Sequence, residues 1–153
     1  MKKSTKFIIA LLVTVGALAI TYRVVNQAPS KDLAADAQMQ EIITSGGCLQ
    51  CHSGSPDLPF YANWPVASGM VQKDVTQGYR AFDMTEMAEA LKAGKPVGKV
   101  ALAKVEKVIM DGTMPKHAYY MVHWGSSVTD AKKEMAMAWV KQHRLAHYAN
   151  GLA

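Results

Sequence analysis

A chain of 153 residues, half of them hydrophobic, has room for one compact domain and an appendage but not for two ordinary domains. Its formal charge of +5 sits at the start: Lys2, Lys3, Lys6 and Arg23 precede every acidic residue, and without those four the 17 basic side chains fall to 13 against 12 acidic, a net of +1. A nearly neutral remainder gives nucleic acid no electrostatic footing, and two cysteines, Cys48 and Cys51, cannot build a disulfide framework.

The first segment is a basic head followed by Phe7 to Ile20, an uncharged apolar run whose only hydroxyl is Thr14. This is the pattern of an export signal or membrane anchor, assigned here to residues 1–25. Ala17-Leu18-Ala19 offers a small-x-small site to a signal peptidase, but Val24 and Val25 extend the run to nearly the roughly 20 residues that span a bilayer. Tyr22 and Arg23 suit the interface, by an aromatic ring and a snorkelling charge. An uncleaved anchor is expected. The leading lysines then stay in the cytoplasm, which puts the domain after Asn26 on the periplasmic side of an inner membrane.

Residues 26–30 read as a polar linker, and 31–153 as the domain proper. Lys31 to Ser45 is rich in helix formers and stops at Gly46-Gly47. From Ser53 to Pro65 the density of Gly and Pro rules out a helix, and the absence of alternation argues against a strand. Within this ordered loop Phe60, Tyr61 and Trp64 are expected to cover a large apolar object. Ser68 is placed to cap a helix over Gly69 to Gln77 that Gly78 ends, and Asp83 with Glu86 reads as a capping box for the next. That next helix puts Met84, Met87, Ala88 and Leu91 on one face before Gly94. Lys99 to Met110 does the same with Leu102, Val105 and Ile109, ended by Gly112. The last helix, capped by Thr129, runs from Asp130 to about Tyr148, with Met135, Ala138, Trp139, Gln142 and Leu145 as its expected buried stripe. The expected class is all-α: a small helical domain preceded by an anchor helix.

Cys48-Leu49-Gln50-Cys51-His52 carries the chemistry. Two thiols at this spacing add to the vinyl groups along one porphyrin edge, and the adjacent imidazole reaches the iron. A redox dithiol would stand beside a βαβ pattern, and zinc would need a further pair of ligands; neither is present. One covalent haem c is therefore expected, with His52 as its first axial ligand. For the second, Met114 is favoured, since Gly112-Thr113-Met114-Pro115 holds a thioether outside any helix face; Met121, His117 and His123 are the alternatives. Most other methionines are explained as core. His143 and His147 are expected on a solvated face, and His123-Trp124 as a packed aromatic pair. Phe60, Tyr61, Trp64 and Trp139 are expected to line the haem pocket.

Taken together, the apolar segment, Gly47 to His52, Leu58-Pro59-Phe60-Tyr61, Asp74 to Phe82 with Gly78-Tyr79, Thr113-Met114-Pro115, His123-Trp124 and Ala138-Trp139-Val140 resemble a known family. It is the N-terminal mono-haem domain of membrane-bound bacterial tri-haem, quinol-type cytochrome c peroxidases, with its related stand-alone haem-binding domains. The resemblance covers nearly the whole chain. It implies that Met114 is the distal iron ligand, that electrons arrive from the quinol pool or a quinol-linked donor, and that they leave toward a di-haem peroxidase module. No second or third Cys-x-x-Cys-His occurs here, so peroxidase chemistry is expected of a partner or continuation and not of this chain alone. Two other roles stay open on the residues: a haem-based enzyme or a gas or peroxide sensor with an open sixth position, and a domain that mainly anchors a partner enzyme.

Overall fold

The computed structural model describes residues 3–149 and 151. Lys2 of the basic head, and Asn150, Leu152 and Ala153 of the polar ending, lie outside the described residues. The described residues form seven α-helices: α1 Lys3–Val25, α2 Ala35–Ser45, α3 Ser68–Ala81, α4 Thr85–Lys92, α5 Lys99–Asp111, α6 His117–Val122 and α7 Asp130–Ala149. Short 3-10 turns stand at Cys48–Gln50, Phe60–Asn63 and Trp124–Ser126. Among the described residues there is no strand, and the fold is all-α.

α2 and α5 both pack on α7, and α4 closes the group from the side of α2. Helical periodicity accounts for the interior: Met84, Met87, Ala88 and Leu91 are buried at the start and along one face of α4, and Leu102 and Val105 along α5 with Ile109 packed at their edge. They meet Met39 and Ile43 of α2 and Ala136, Trp139 and Val140 of α7. Each large apolar side chain fully buried here contributes about 1.5–3 kcal/mol of transfer free energy. Gly94 and Gly112 take φ +61° after α4 and α5, the left-handed conformation that releases a helix end without a Cβ clash.

Several helix ends differ from expectation. α2 begins at Ala35, four residues after Lys31. α3 begins at Ser68 without a side-chain cap, and it runs through Gly78 to Ala81. Gly78 is inside the helix because its missing Cβ is needed there for packing, described below. The expected capping box before α4 does not form: Met84 is the N-cap without a side-chain cap bond, and the Asp83 carboxylate instead accepts the Thr85 backbone N–H two residues on at 2.9 Å. α6 was not expected at all.

The buried stripe of α7 is also displaced. Trp139 is buried, but Ala138, Gln142 and Leu145 are exposed and Met135 only half-buried; Lys132, Ala136 and Val140 are buried instead. Lys132 can sit inside because its ammonium donates to the Ser127 carbonyl at 3.1 Å and lies 3.5 Å from Ser45 Oγ. Desolvation holds its pKa below the usual lysine value. His143 and His147 are likewise not solvated. His143 Nε2 lies 2.7 Å from Asp36 Oδ1, and His147 Nε2 donates to the Val97 carbonyl at 2.7 Å.

Among the described residues α1 is the one helix long and apolar enough to cross a membrane, and none of its residues is buried by the rest of the chain.

Candidate haem site

The chain turns sharply after α2. Gly46 N–H closes the helix on the Ile42 carbonyl, and Gly47 at φ +64° redirects the backbone into the turn Cys48–Gln50. Within this turn the Cys48 carbonyl accepts from the N–H groups of Cys51 and His52 at 3.3 and 3.0 Å. Cys51 and His52 thus follow Cys48 by three and four residues within a single turn of backbone. Both cysteines are free thiols. Burial pushes the Cys48 thiol up to about 11 and raises Cys51 as well, the opposite of the lowered thiol that drives disulfide exchange.

His52 is oriented from behind. Its Nδ1 donates to the Phe82 carbonyl at 2.8 Å, which fixes the tautomer and leaves Nε2 as the lone-pair nitrogen. The His52 carbonyl in turn accepts from Met84 N–H at 2.7 Å, so the stretch between α3 and α4 clamps this residue twice.

α3 lies directly against the motif. A Cβ built on Gly78 would stand 2.5 Å from the Cys51 carbonyl oxygen and 2.9 Å from Cys51 Cβ, so only glycine allows this approach. Gly47 is confined in the same way, with an added Cβ falling 2.1 Å from Tyr119 Oη. That hydroxyl donates to Gln50 Oε1 at 2.7 Å, and burial pushes its pKa up to about 12, so it stays a donor.

The segment after α5 is tied at three points to the motif, to α3 and to the Phe60–Asn63 turn. Lys116 pairs with Asp74 of α3 at 2.6 Å, Tyr119 holds Gln50, and His123 Nε2 accepts from Tyr61 Oη at 2.7 Å. Met114, half-buried, lies two residues before Lys116, in the stretch between α5 and α6 that this ion pair fixes to α3. Met114-Pro115 is a cis peptide bond.

Of the alternatives to Met114, His123 has both ring nitrogens engaged, since Nδ1 donates to the Tyr119 carbonyl at 3.0 Å, and its ring stacks on Tyr119 at 3.9 Å. His117 is exposed beside Tyr120, and Met121 is 62% exposed. The partner of His123 is therefore Tyr119 and Tyr61, not Trp124 as the sequence pairing implied.

Phe60, Tyr61 and Trp64 are brought together edge to face, with centroids 5.5 to 6.4 Å apart. Phe60 and Trp64 turn their faces outward, and Tyr61 is half-buried. Trp139 is not part of this group: it lies in the core with Nε1–H donating to Asp36 Oδ1 at 2.7 Å, and reaches the motif only through a core that Cys48 and Leu49 border. Sequence reasoning missed Tyr119, Gln50 and Phe82. The carbonyl of Phe82 has no side-chain signal at all, whereas Tyr119 could have been sought through the glycine it confines.

Two free thiols, an imidazole whose Nε2 is unspent, a glycine that lets α3 lie against Cys51 and a cluster of outward aromatic faces fit a haem. Among the described residues no group of three His, Cys, Asp or Glu side chains could hold a metal ion without one. The model of the haem-binding domain family matches residues 7–142. The chain belongs to that family. It is also 36% identical over 104 residues to the cytochrome c peroxidase Ccp of Escherichia coli (strain K12), a match that takes in 68% of this chain and 22% of that protein. The chain thus corresponds to less than a quarter of the length of that relative. No solved structure matches this haem-binding domain.

Proposed function

We propose that this haem-binding domain is an electron carrier with one c-type haem, attached through Cys48 and Cys51 and ligated by His52 Nε2 and Met114. When bound, the haem supplies a single reversible electron between ferric and ferrous iron. The observation that carries the reading is the Cys48–His52 turn, with His52 Nδ1–H given to the Phe82 carbonyl so that Nε2 is the nitrogen free to bind iron.

Each residue has a definable task. The Phe82 carbonyl makes His52 more electron-rich and stops its ring from rotating. Gly78 lets α3 lie against Cys51, which fixes the backbone of the second thiol. His52 and Met114 would hold the haem iron from its two sides, and a thioether at Met114 would give a higher potential than a second imidazole. The engaged nitrogens of His123 support Met114 over that histidine.

The similarity to a cytochrome c peroxidase over a small part of that protein supports a place beside a di-haem peroxidase module, with a quinol-linked donor on the other side. α1 supports anchoring in an inner membrane, the domain facing the periplasm.

The test uses the full-length haem-loaded protein in liposomes. Reduction by a quinol and reoxidation on adding a di-haem peroxidase are expected, with no peroxide consumption by the domain alone. Peroxide turnover by the isolated protein, or a high-spin ferric spectrum that shifts with small ligands, would instead establish the enzyme or sensor reading.

A further inference from the structure

The reading of α1 as an anchor, on which this inference rests, has a geometric consequence for the domain. At 1.5 Å per residue, the roughly 30 Å hydrocarbon layer takes about 20 residues. Counted from Phe7, the first residue after the basic head, that length ends at Asn26. The outer boundary of the hydrocarbon therefore falls in the last turn of α1.

The domain is fastened to that same turn. Tyr22 Oη lies 2.8 Å from Ser127 Oγ, Asn26 Nδ2 donates to the Trp124 carbonyl, and Ser127 N–H donates to Asn26 Oδ1 at 3.0 Å. Gly125 lies against the Val25 carbonyl, where a Cβ would come to 3.4 Å. Asn26 is 3% exposed, so its two bonds are shielded from water, while the Tyr22–Ser127 bond lies at the surface. The turn Trp124–Ser126 is held alongside the end of α1, level with the headgroups.

The residues next to this contact are unusually apolar for a water-facing surface. Met121 is 62% exposed, Val122 72% and Trp124 43%. Consecutive Cα atoms are 3.8 Å apart, so all three lie within about 11 Å of the fastened turn. Arg23 on α1 adds a cation at the same level, suited to lipid phosphates. Other exposed apolar side chains, such as Phe60 and Leu145, have no such tie to α1.

We propose that Met121, Val122 and Trp124 dock into the headgroup layer of the bilayer that α1 spans. A tryptophan with aliphatic neighbours is the composition that partitions to this zone. Continuity with the spanning helix selects lipid over a protein partner as the occupant. Since Tyr119 of α6 holds Gln50 inside the haem motif, the contact also sets how far the motif stands from the membrane and which way it faces.

The experiment places p-benzoylphenylalanine at position 122 of the full-length haem-loaded protein in vesicles of phosphatidylethanolamine and phosphatidylglycerol. Position 145 carries it in a control. Ultraviolet light should give lipid adducts at 122 severalfold above those at 145, and Asn26→Ala should reduce them without changing haem content. Retention on the vesicles after an alkaline wash is measured first. Release of the protein would remove the anchor and this inference with it. Retention with adducts at 122 no higher than at 145, or cross-links to another protein in native membranes in place of lipid, would overturn the docking alone.

Discussion

Between α2, α4, α5 and α7 the apolar side chains cover one another, whereas around Cys48–His52 they are framed by hydrogen bonds and turn their faces outward. Val97 and Leu102 are completely buried on the first side, and Trp139 is 1% exposed with its one polar atom satisfied by Asp36. On the second side Phe60 is 82% exposed, while Tyr61, Tyr119 and Lys116 spend their polar atoms on His123, Gln50 and Asp74. The first region is stabilised by its own burial. In the second, polar ties fix the backbone so that apolar faces are available to a large group.

Exchanging matched residues between the two regions breaks this comparison most severely. Trp139→Ala should cost about 3–5 kcal/mol, by loss of a buried aromatic and by leaving Asp36 short of a donor. Trp64→Ala should stay within about 0.5 kcal/mol in chemical denaturation of protein lacking haem. Equal losses at the two positions would mean that Trp64 is core after all.

A smaller effect is expected from glycines. Gly78→Ala forces a Cβ onto the Cys51 backbone and should destabilise by about 1–3 kcal/mol while lowering covalent haem yield. Gly98→Ala, with nothing within 4 Å of the added carbon and an ordinary φ of −61°, is the control and should leave both unchanged. Haem yield is read by the pyridine haemochrome of purified protein.

The smallest effect belongs to Asp83. Hydrogen bonds from Thr85, side chain first and backbone second, hold its carboxyl below the usual range. Its folded pKa is thus lower than the unfolded value of about 3.9. The group stabilises the fold above that pH, and its contribution is lost as the pH falls through the lowered value. Asp83→Ala should lower the melting temperature slightly at neutral pH, and the difference should close on acidification.

Parts of this organisation were legible in the residues and parts were not. α4 was readable because Met84, Met87, Ala88 and Leu91 repeat with the helical period and nothing competes with burial. α7 was misread because hydrophobicity favours Met135 and Leu145, while the structure buries Lys132, satisfied by the nearby Ser127 carbonyl and by Ser45 of α2, and draws in His143, satisfied by Asp36 of α2. Gly78 was taken as a helix stop, the common role of glycine, since a close approach to Cys51 depends on a contact 27 positions distant that no local pattern announces. The motif Cys48 to His52 stood out in the residues because its spacing is what covalent haem attachment would require. What orients His52 did not, because a backbone carbonyl such as that of Phe82 belongs to every residue alike.

The most direct test of the central claim is the near-infrared absorption of the ferric, full-length protein, recorded for wild type and Met114→Ala together. Ligation by His52 and Met114 predicts a methionine-to-iron charge-transfer band in the wild type that Met114→Ala abolishes, with conversion toward a high-spin spectrum. A wild type without that band, or a band that survives in Met114→Ala, would contradict it.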